Sequence, residues 1–171
     1  MHELTTARLR LRQFRQSDLD AYAAMCADAE VMAHLGQGGP VGRDMAWRGM
    51  ALFCGEWTLH GYGMWAIEEQ SSGRLVGRTG YLNPEGWPGC EAGWMLARDC
   101  WGRGYAFEAT EAAIRYGRAQ LGITELISLI RPANTRSIAL AERLGACLAE
   151  SIDFLGTPAG VYRHPPPPAK S

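Results

Sequence analysis

The stretch "CWGRGYAFEATEAAIRYG", residues 100–117, places two glycines and an arginine directly before the best helical pattern in the chain. Glycines weaken the start of a helix unless the turn or a ligand needs the bare backbone there. The first turn of a helix carries N–H groups without an internal partner, and the helix dipole adds positive potential. Gly102 and Gly104 would therefore let a phosphate approach these N–H groups, and Arg103 would donate a charge-assisted hydrogen bond. The competing interpretation is a turn with a purely structural purpose.

The composition is that of an ordinary globular domain. The chain has 171 residues, of which 47% are hydrophobic and 20% charged, and its formal net charge is −1. This length suits one domain, and the balanced charge argues against a bulk attraction to nucleic acid or to an anionic membrane. No window approaches the roughly 20 apolar residues of a membrane-spanning helix, and the N-terminal residues have no signal-peptide core.

The cysteines and histidines argue against a disulfide framework and against a metal site. The five cysteines are far apart and form no C-x-x-C pair, and the four histidines are equally scattered. An odd number of scattered cysteines is typical of reduced thiols in a cytosol. We therefore expect a cytoplasmic protein without a metal ion.

Apolar periodicity and turn residues predict the order of strands and helices. "ARLRLRQF" alternates leucine and arginine as a half-exposed strand does, and Ser17 then precedes a helix through "DLDAYAAMCADAEVM". A second helix extends to about Leu59, followed by three antiparallel strands, "YGMWAIEEQ", "RLVGRTGYL" and "CEAGWMLA". The remaining elements are a helix over 103–121, a buried strand "ELISLI", a helix "NTRSIALAERLG" and a final pair of strands. This order predicts a mixed α+β fold in one domain over residues 1–164, followed by a disordered proline-rich tail over 165–171.

Two familiar phosphate motifs do not fit the glycine turn. A P-loop needs the pattern G-x-x-x-x-G-K-[ST], but the only lysine in the chain is Lys170. A dinucleotide fingerprint needs a third glycine, and Phe107 occupies that position. The turn also lies too late in the chain for an N-terminal dinucleotide-binding unit. A nucleotide-dependent oxidoreductase is therefore a poor interpretation.

The glycine turn resembles the acyl-coenzyme A loop of the GNAT acetyltransferases, whose pattern is Q/R-x-x-G-x-G/A. The six loop positions correspond here to Trp101, Gly102, Arg103, Gly104, Tyr105 and Ala106. Four further segments are similar, in the expected order, to the RimJ/RimL-type branch: "TARLRLRQFRQSDLDAY", "GRLVGRTGY", "CEAGWML" and "NTRSIALAERLGA". Trp101 departs from the usual Gln or Arg, and Ala146 stands where the last segment usually carries a Phe. The resemblance covers about residues 5–156.

This resemblance implies a mixed, mostly antiparallel sheet of about seven strands flanked by about four helices, with the fourth and fifth strands splayed apart. Acetyl-coenzyme A would be the co-substrate, with its pyrophosphate held by the N–H groups from Gly102 to Ala106. The backbone near Met95 and Leu96 would bind the pantetheine arm like an added strand, while their side chains are expected to pack in the core. Asn134 would reach the coenzyme, or serve only as a helix-start residue.

The resemblance also implies a base for the acceptor amine. Glu91 opens the fourth strand, where related enzymes often carry a catalytic Glu, and an exposed strand-end carboxylate is the plain alternative. Glu68 on the second strand is the weaker rival. Because an ordinary Glu has a pKa of about 4.3, this base must act through water or have a raised pKa.

The acid that assists the departing thiolate has no obvious candidate. Many GNAT enzymes carry a Tyr on the last helix, and Ala141 occupies that position here. By resemblance to the RimJ/RimL pattern, Ser137 would hydrogen-bond the coenzyme sulfur; otherwise it is only a first-turn residue of the helix. Catalysis would then rest on positioning two substrates together and on backbone donors to the oxyanion.

The acceptor is expected to bind among the least family-like segments. These are the loop "AHLGQGGP", the second helix with Trp47 and Trp57, and the loop "NPEGWPGC" with Trp87. Aromatic rims suit an amine-bearing ligand, although tryptophans also serve as core residues or as contacts of a homodimer. Two acceptors stay open: the N-terminal amine of a protein, such as a ribosomal protein, and a small-molecule amine, such as an antibiotic or an amino acid. A non-catalytic acyl-coenzyme A sensor is the second functional class, because the usual Tyr is missing.

Overall fold

The computed structural model describes residues 2–167, which form one eight-stranded sheet and five α-helices. The strands are β1 (Leu4–Thr5), β2 (Leu9–Arg12), β3 (Met64–Glu69), β4 (Leu75–Leu82), β5 (Glu91–Leu96), β6 (Ile127–Ile130), β7 (Cys147–Phe154) and β8 (Thr157–Arg163). The helices are α1 (Leu19–Ala27), α2 (Ala29–Met32), α3 (Arg43–His60), α4 (Tyr105–Gln120) and α5 (Thr135–Arg143). The spatial order is β1-β2-β3-β4-β5-β6-β8-β7, and all neighbours are antiparallel except β5 and β6.

The predicted α+β class is confirmed, and the numbers of elements differ slightly. β1 is an additional short strand, which makes eight strands in the described chain rather than about seven. The helix expected after Ser17 begins at Leu19 and breaks at Asp28, which makes five helices in the same residues rather than about four. Asp28 causes the break because its carboxylate accepts hydrogen bonds from two N–H groups of the next turn and thereby starts α2.

The proline-rich tail predicted over 165–171 falls at the end of the described chain. Residues 165–167 form neither helix nor strand, and residues 168–171 lie outside the described residues. Within the described part of the chain, no helix is both long and apolar enough to cross a membrane.

Two large apolar clusters form the core. One contains residues of α4 and the sheet, including Trp65 and Tyr81, and the other contains residues of α1, α3 and the sheet, including Phe53. Trp57 belongs to the first cluster, and its Nε1 donates to the carbonyl of Met64 at 3.0 Å. Trp57 is therefore a core residue, which is the plain alternative that the sequence left open for the tryptophans.

β5 and β6 separate after a single residue pair. These parallel neighbours are paired at Glu91 and Ile127, whereas β4 and β5 pair along the whole length of β5. The Ser128 hydroxyl donates to the carbonyl of Ala92 at 2.7 Å and closes the narrow end of the opening. Within residues 2–167, β5 has no strand partner beyond this point on its β6 side. Because the prediction did not include β1, its fourth and fifth strands correspond to β5 and β6. The expected separation of these two strands is therefore confirmed.

Gly117 and Gly55 provide a matched test of packing at mid-helix glycines. A Cβ at Gly117 in α4 would meet Cζ of the buried Tyr81 at 2.6 Å, whereas a Cβ at Gly55 in α3 would meet no atom within 4 Å. We expect Gly117→Ala to lower the free energy of unfolding by about 1–3 kcal/mol through overpacking. Gly55→Ala should raise it by about 0.5–1 kcal/mol, because alanine favours a helix. Urea unfolding measures both, and a more stable Gly117→Ala variant would contradict the close approach of α4 to Tyr81.

Candidate active site

A cleft of about 980 Å³ lies beside the end of β5, between the N-terminus of α4 and helix α5. Its lining includes five of the six loop positions identified in the sequence: Trp101, Gly102, Gly104, Tyr105 and Ala106. Gly102 and Gly104 have φ angles of +73° and +79°, in the left-handed region that favours glycine. The turn itself therefore requires both glycines, and they also leave the backbone bare at the cleft.

The N-terminus of α4 opens onto this cleft without a side-chain cap. Glu108, the acid of the first turn, is engaged elsewhere: it accepts hydrogen bonds from the Thr6 hydroxyl at 2.6 Å and from Nε of Arg8 at 2.7 Å. Burial alone would raise the pKa of Glu108, but these hydrogen bonds outweigh burial and lower the pKa below its ordinary value. The helix dipole and the first N–H groups are thus left to an anion in the cleft.

The positive charges beside the cleft come from α5 and not from the glycine turn. Arg103 lies 3.3 Å from the carboxylate of Glu69, with its guanidinium over the ring of Tyr105, and it does not line the cleft. Arg136 and Arg143, on α5, line the cleft instead. Neither arginine was predicted from the sequence as a site residue, although a seven-residue spacing on a helix places two side chains on one face.

Aromatic rings hold these two arginines in place. The guanidinium carbon of Arg136 is 4.5 Å from the centre of the Trp101 ring, and that of Arg143 is 4.0 Å from the centre of the Phe107 ring. Such cation–π contacts favour a cation over the ring face. Trp101 is itself anchored, because its Nε1 donates to the carbonyl of Leu96 at 3.0 Å. The Trp that replaces the family's Gln or Arg therefore positions a cation from α5 at the cleft.

The free edge of β5 forms one wall of the cleft. Met95 and Leu96 are 4% and 7% exposed, so their side chains pack in the core as expected. Backbone groups alternate in direction along a strand, so Trp94 directs its backbone groups to the β6 side, as Ala92 does. The Met95 carbonyl points the other way, towards Gly77 on β4. A ligand added as a strand would therefore bond to Trp94 and not to Met95.

Asn134 and Ser137 lie together at the start of α5, and both line the cleft. Oδ1 of Asn134 accepts from the N–H group of Ser137 at 3.2 Å, so Asn134 is the N-cap of the helix. The indole N–H of Trp94 donates to the Ser137 hydroxyl at 3.1 Å. Because a serine hydroxyl has one proton and two acceptor positions, this bond leaves the Ser137 proton available to another group.

A second cavity, of about 210 Å³, contains Glu91. The carboxylate accepts a hydrogen bond from the indole N–H of Trp87 at 2.7 Å, and Trp87 packs edge-on against Phe154. Burial raises the pKa of Glu91 to about 7, although the Trp87 hydrogen bond and the positive charge of Arg78 act in the opposite direction. Glu91 therefore exchanges a proton near neutral pH, which an exposed strand-end carboxylate would not do.

The rival carboxylate, Glu68, is already paired. It accepts a hydrogen bond from Nε of Arg12 at 2.7 Å and lies 3.5 Å from Arg10, while Arg12 also makes two 2.8 Å hydrogen bonds to Asp18. Glu68 lines neither the cleft nor the second cavity. Of the two carboxylates, only Glu91 therefore lines one of the two spaces.

The two remaining tryptophans considered for the acceptor lie in different surroundings. Trp87 lines the second cavity, together with His34, Leu35 and Gly36 of the loop after α2. Trp47 is 49% exposed on α3 and lines neither space. The two glycine-containing loops, and not α3, therefore border this cavity.

The cleft and the second cavity meet, because five residues line both: His34, Leu35, Trp94, Asn134 and Ser137. A ligand along the cleft and another in the cavity would touch beside Trp94 and Ser137. Within residues 2–167, no three His, Cys, Asp or Glu side chains are grouped so as to hold a metal ion. The chemistry that these side chains offer is proton transfer by Glu91 and hydrogen bonding by Ser137.

A known family matches most of the chain. The sequence model of the acetyltransferase (GNAT) domain matches residues 8–146. The Bacillus subtilis protein YkkB is 33% identical over 105 residues, which cover 60% of this chain and 61% of YkkB, less than two thirds of that relative. The uncharacterized N-acetyltransferase p20 of Bacillus licheniformis is 29% identical over 146 residues, which cover 84% of this chain and 82% of p20.

Solved structures share the fold. An acetyltransferase from Agrobacterium tumefaciens is 30% identical and superimposes with a TM-score of 0.86, over 96% of this chain and 94% of that one. RimL, a ribosomal L7/L12 alpha-N-protein acetyltransferase in complex with coenzyme A, gives a TM-score of 0.78 at 16% identity, over 95% of this chain and 97% of that one. The family match confirms the resemblance to the GNAT acetyltransferases, and the likeness to RimL shows that the two proteins share the fold.

Glu91→Gln is expected to stabilise the folded protein above neutral pH. The pKa of Glu91 in the folded state, about 7, exceeds that of an ordinary Glu in the unfolded chain, so ionisation costs stability as the pH rises between these two pKa values. The variant removes this cost, and its gain in unfolding free energy should grow from near zero at pH 4.5 to roughly 1–3 kcal/mol at pH 8. Denaturant titrations at both pH values measure the gain, with the exposed Glu125→Gln as the control. An equal gain at both pH values would contradict the raised pKa.

Proposed function

The chain belongs to the GNAT family of acyl-coenzyme A-dependent N-acetyltransferases, and we propose that it transfers an acetyl group from acetyl-coenzyme A directly to a primary amine. The observation that carries this proposal is the junction of the cleft and the second cavity at Trp94 and Ser137, with Glu91 in the cavity. Direct transfer needs both substrates bound at once, and two joined spaces suit such a ternary complex.

The residues around the cleft suit acetyl-coenzyme A as the co-substrate. The uncapped N-terminus of α4 and the bare turn at 102–104 would hold the diphosphate. Arg136 and Arg143 would add positive charge, and the free backbone groups of Trp94 would bond to the pantetheine arm. The volume of about 980 Å³ lies at the upper end of ligand pockets, as a long ligand requires.

Glu91 would act as the general base. A carboxyl group with a pKa of about 7 is largely ionised at pH 8 and still binds a proton far better than an ordinary Glu. Glu91 takes the proton that the amine nitrogen loses as the N–C bond forms and the C–S bond of the thioester breaks. The α-amine of a protein N-terminus, with a pKa of about 8, lies within about one unit of Glu91, so this proton transfer is nearly balanced.

Ser137 would stabilise the departing sulfur, which leaves with the electron pair of the C–S bond. The Ser137 hydroxyl accepts from Trp94, so its own proton is available to the sulfur. Ala141, at the position of the family's usual Tyr, is fully buried and has no proton to donate. Ser137 is therefore the donor that we assign to the thiolate.

Two acceptor classes are compatible with this chemistry. RimL is a protein α-N-acetyltransferase, but it shares only its fold with this chain. The cavity of about 210 Å³ favours a small amine. The non-catalytic sensor is less well supported, because binding alone would not need a carboxyl group with a near-neutral pKa beside the junction.

Gly104→Glu should weaken the binding of acetyl-coenzyme A. The substitution places a carboxylate at the N-terminus of α4, where the diphosphate would lie, on a residue with a φ of +79°. Because like charges repel there, we expect calorimetry to give a Kd at least about 100-fold higher. Gly73→Glu is the matched control: Gly73 has a φ of +67° and does not line the cleft, so this variant should bind normally. A folded Gly104→Glu variant with unchanged affinity would refute the coenzyme site.

The pH dependence of kcat/KM tests the role of Glu91. For the wild type, kcat/KM should fall about tenfold for each pH unit below about 7, as Glu91 becomes protonated. Glu91→Gln should lower kcat/KM about 10²–10⁴-fold near pH 7, with a smaller loss at pH 9, where more free amine is present.

Glu68→Gln, in the rival carboxylate, is the comparison and should keep most of the activity. If Glu91→Gln loses the same factor at pH 7 and pH 9, Glu91 is not the base.

A further inference from the structure

The second cavity, called the acceptor cavity from here on, has an excess of positive charge. Its charged lining residues are Glu91, Arg78 and Arg131, and His34 is a further titratable group in its wall. The two arginines outweigh Glu91 even when that carboxylate is ionised. An ordinary amine enters as a cation and would be repelled by this field. The lining therefore suits an acceptor that brings negative charge as well as a nitrogen.

Arg78 has no carboxylate partner among residues 2–167. Its guanidinium carbon lies 5.1 Å from the centre of the Phe53 ring, its Nη1 is 3.6 Å from Sδ of Met64, and its Nε is buried without a hydrogen-bond partner. This partly buried cation, packed against an aromatic ring and a thioether, has lost water without forming an ion pair, which costs free energy. Such a guanidinium is suited to receive the carboxylate of a ligand.

Arg78 and Glu91 lie close enough to bind one small molecule. A Cβ on Gly93 would stand 3.8 Å from Nη1 of Arg78 and 3.9 Å from Oε1 of Glu91. The two groups nevertheless form no ion pair, since Glu91 directs its other oxygen, Oε2, to Trp87. A carboxyl group and a guanidinium without an ion-pair partner in the described residues thus border the same small cavity, with Oε1 and Nη1 within about 8 Å of each other.

We propose, building on the transferase function above, that the acceptor is a small free amino acid whose nitrogen faces Glu91 and whose carboxylate binds Arg78. An α-amino acid carries both groups on one carbon, and charge-assisted hydrogen bonds of about 2.7–2.9 Å at each end bridge the space between the two side chains. The positive charge of Arg78 also disfavours the ammonium form of the bound nitrogen, which assists transfer. The volume of about 210 Å³ lies below that of drug-sized pockets, about 300–1,000 Å³, and suits such a molecule.

Arg131 forms part of the wall of the acceptor cavity. Its Nη2 donates to the carbonyl of Gly36 at 2.5 Å and so fixes the loop after α2 against the end of β6. Phe154 and Leu155, at the tip of the β7–β8 hairpin, border the same cavity. The volume that these walls border, about 210 Å³, suits a free amino acid better than a length of peptide chain. The walls therefore favour the small acceptor.

Acetylation of free amino acids and of their carboxamides tests this proposal. Each acid and its amide share a side chain and a nitrogen, but the amide has no anionic group. The wild type should use its best amino acid with a kcat/KM at least about ten times that of the amide. Arg78→Met keeps an unbranched side chain between Phe53 and Met64 but removes the charge. It should lower kcat/KM for the acid about 10–100-fold and bring the acid-to-amide ratio close to one, while Arg78→Lys should restore part of the ratio.

The control is Arg15→Gln, which removes an exposed arginine that lines neither space and should change neither activity. Thermal unfolding verifies that the variants are folded. The acid-to-amide ratio of kcat/KM for the wild type is measured without any variant, so it tests the proposal even if a variant does not fold. Equal or faster acetylation of the amides, or of short peptides with a free N-terminus, would overturn the amino-acid acceptor and leave the acetyltransferase function intact. Bound coenzyme A with no transfer to any amine of the panel would instead overturn the transferase function, and this proposal with it.

Discussion

The separation of β5 from β6 is the constraint on which the rest of the structure depends. The strands pair at Glu91 and Ile127 and then diverge, and the Ser128 hydroxyl closes the narrow end by its bond to Ala92. Backbone groups without partners cost free energy, so a strand edge left open inside a sheet must be satisfied by a ligand or by water. The cleft, the acceptor cavity and their junction all border this opening. Two substrates can meet there because the sheet does not close.

Several arginines without a carboxylate partner among residues 2–167 border the same opening. Many others in the molecule pair with a carboxylate, as Arg12 does with Asp18 and Arg8 with Glu108. Arg78, Arg136 and Arg143 have no carboxylate partner in the described chain, and all three line the cleft or the acceptor cavity. A protein with a net charge of −1 thus presents free cations where a diphosphate and a carboxylate would bind.

Local signals in the sequence predicted the fold and one wall of the site. The glycine turn before α4 was recognisable because Gly102 and Gly104 adopt left-handed conformations that other residues avoid. The partners of Arg103 were not recognisable, because Glu69 comes from a distant strand. The roles of Trp94 and Arg78 were not predicted for the same reason. The residues that they contact, Ser137 and Phe53, are distant from them in the sequence. The raised pKa of Glu91 likewise depends on burial, which no spacing along the chain reveals.

A crystal structure of the protein with coenzyme A bound would test the central claim most directly. We expect the pantetheine arm between β5 and β6, with the sulfur beside Ser137. The diphosphate oxygens should lie within about 3 Å of N–H groups at the glycine turn and the first turn of α4. A coenzyme bound elsewhere on the molecule, or an opening between β5 and β6 filled by the protein's own side chains, would contradict this account.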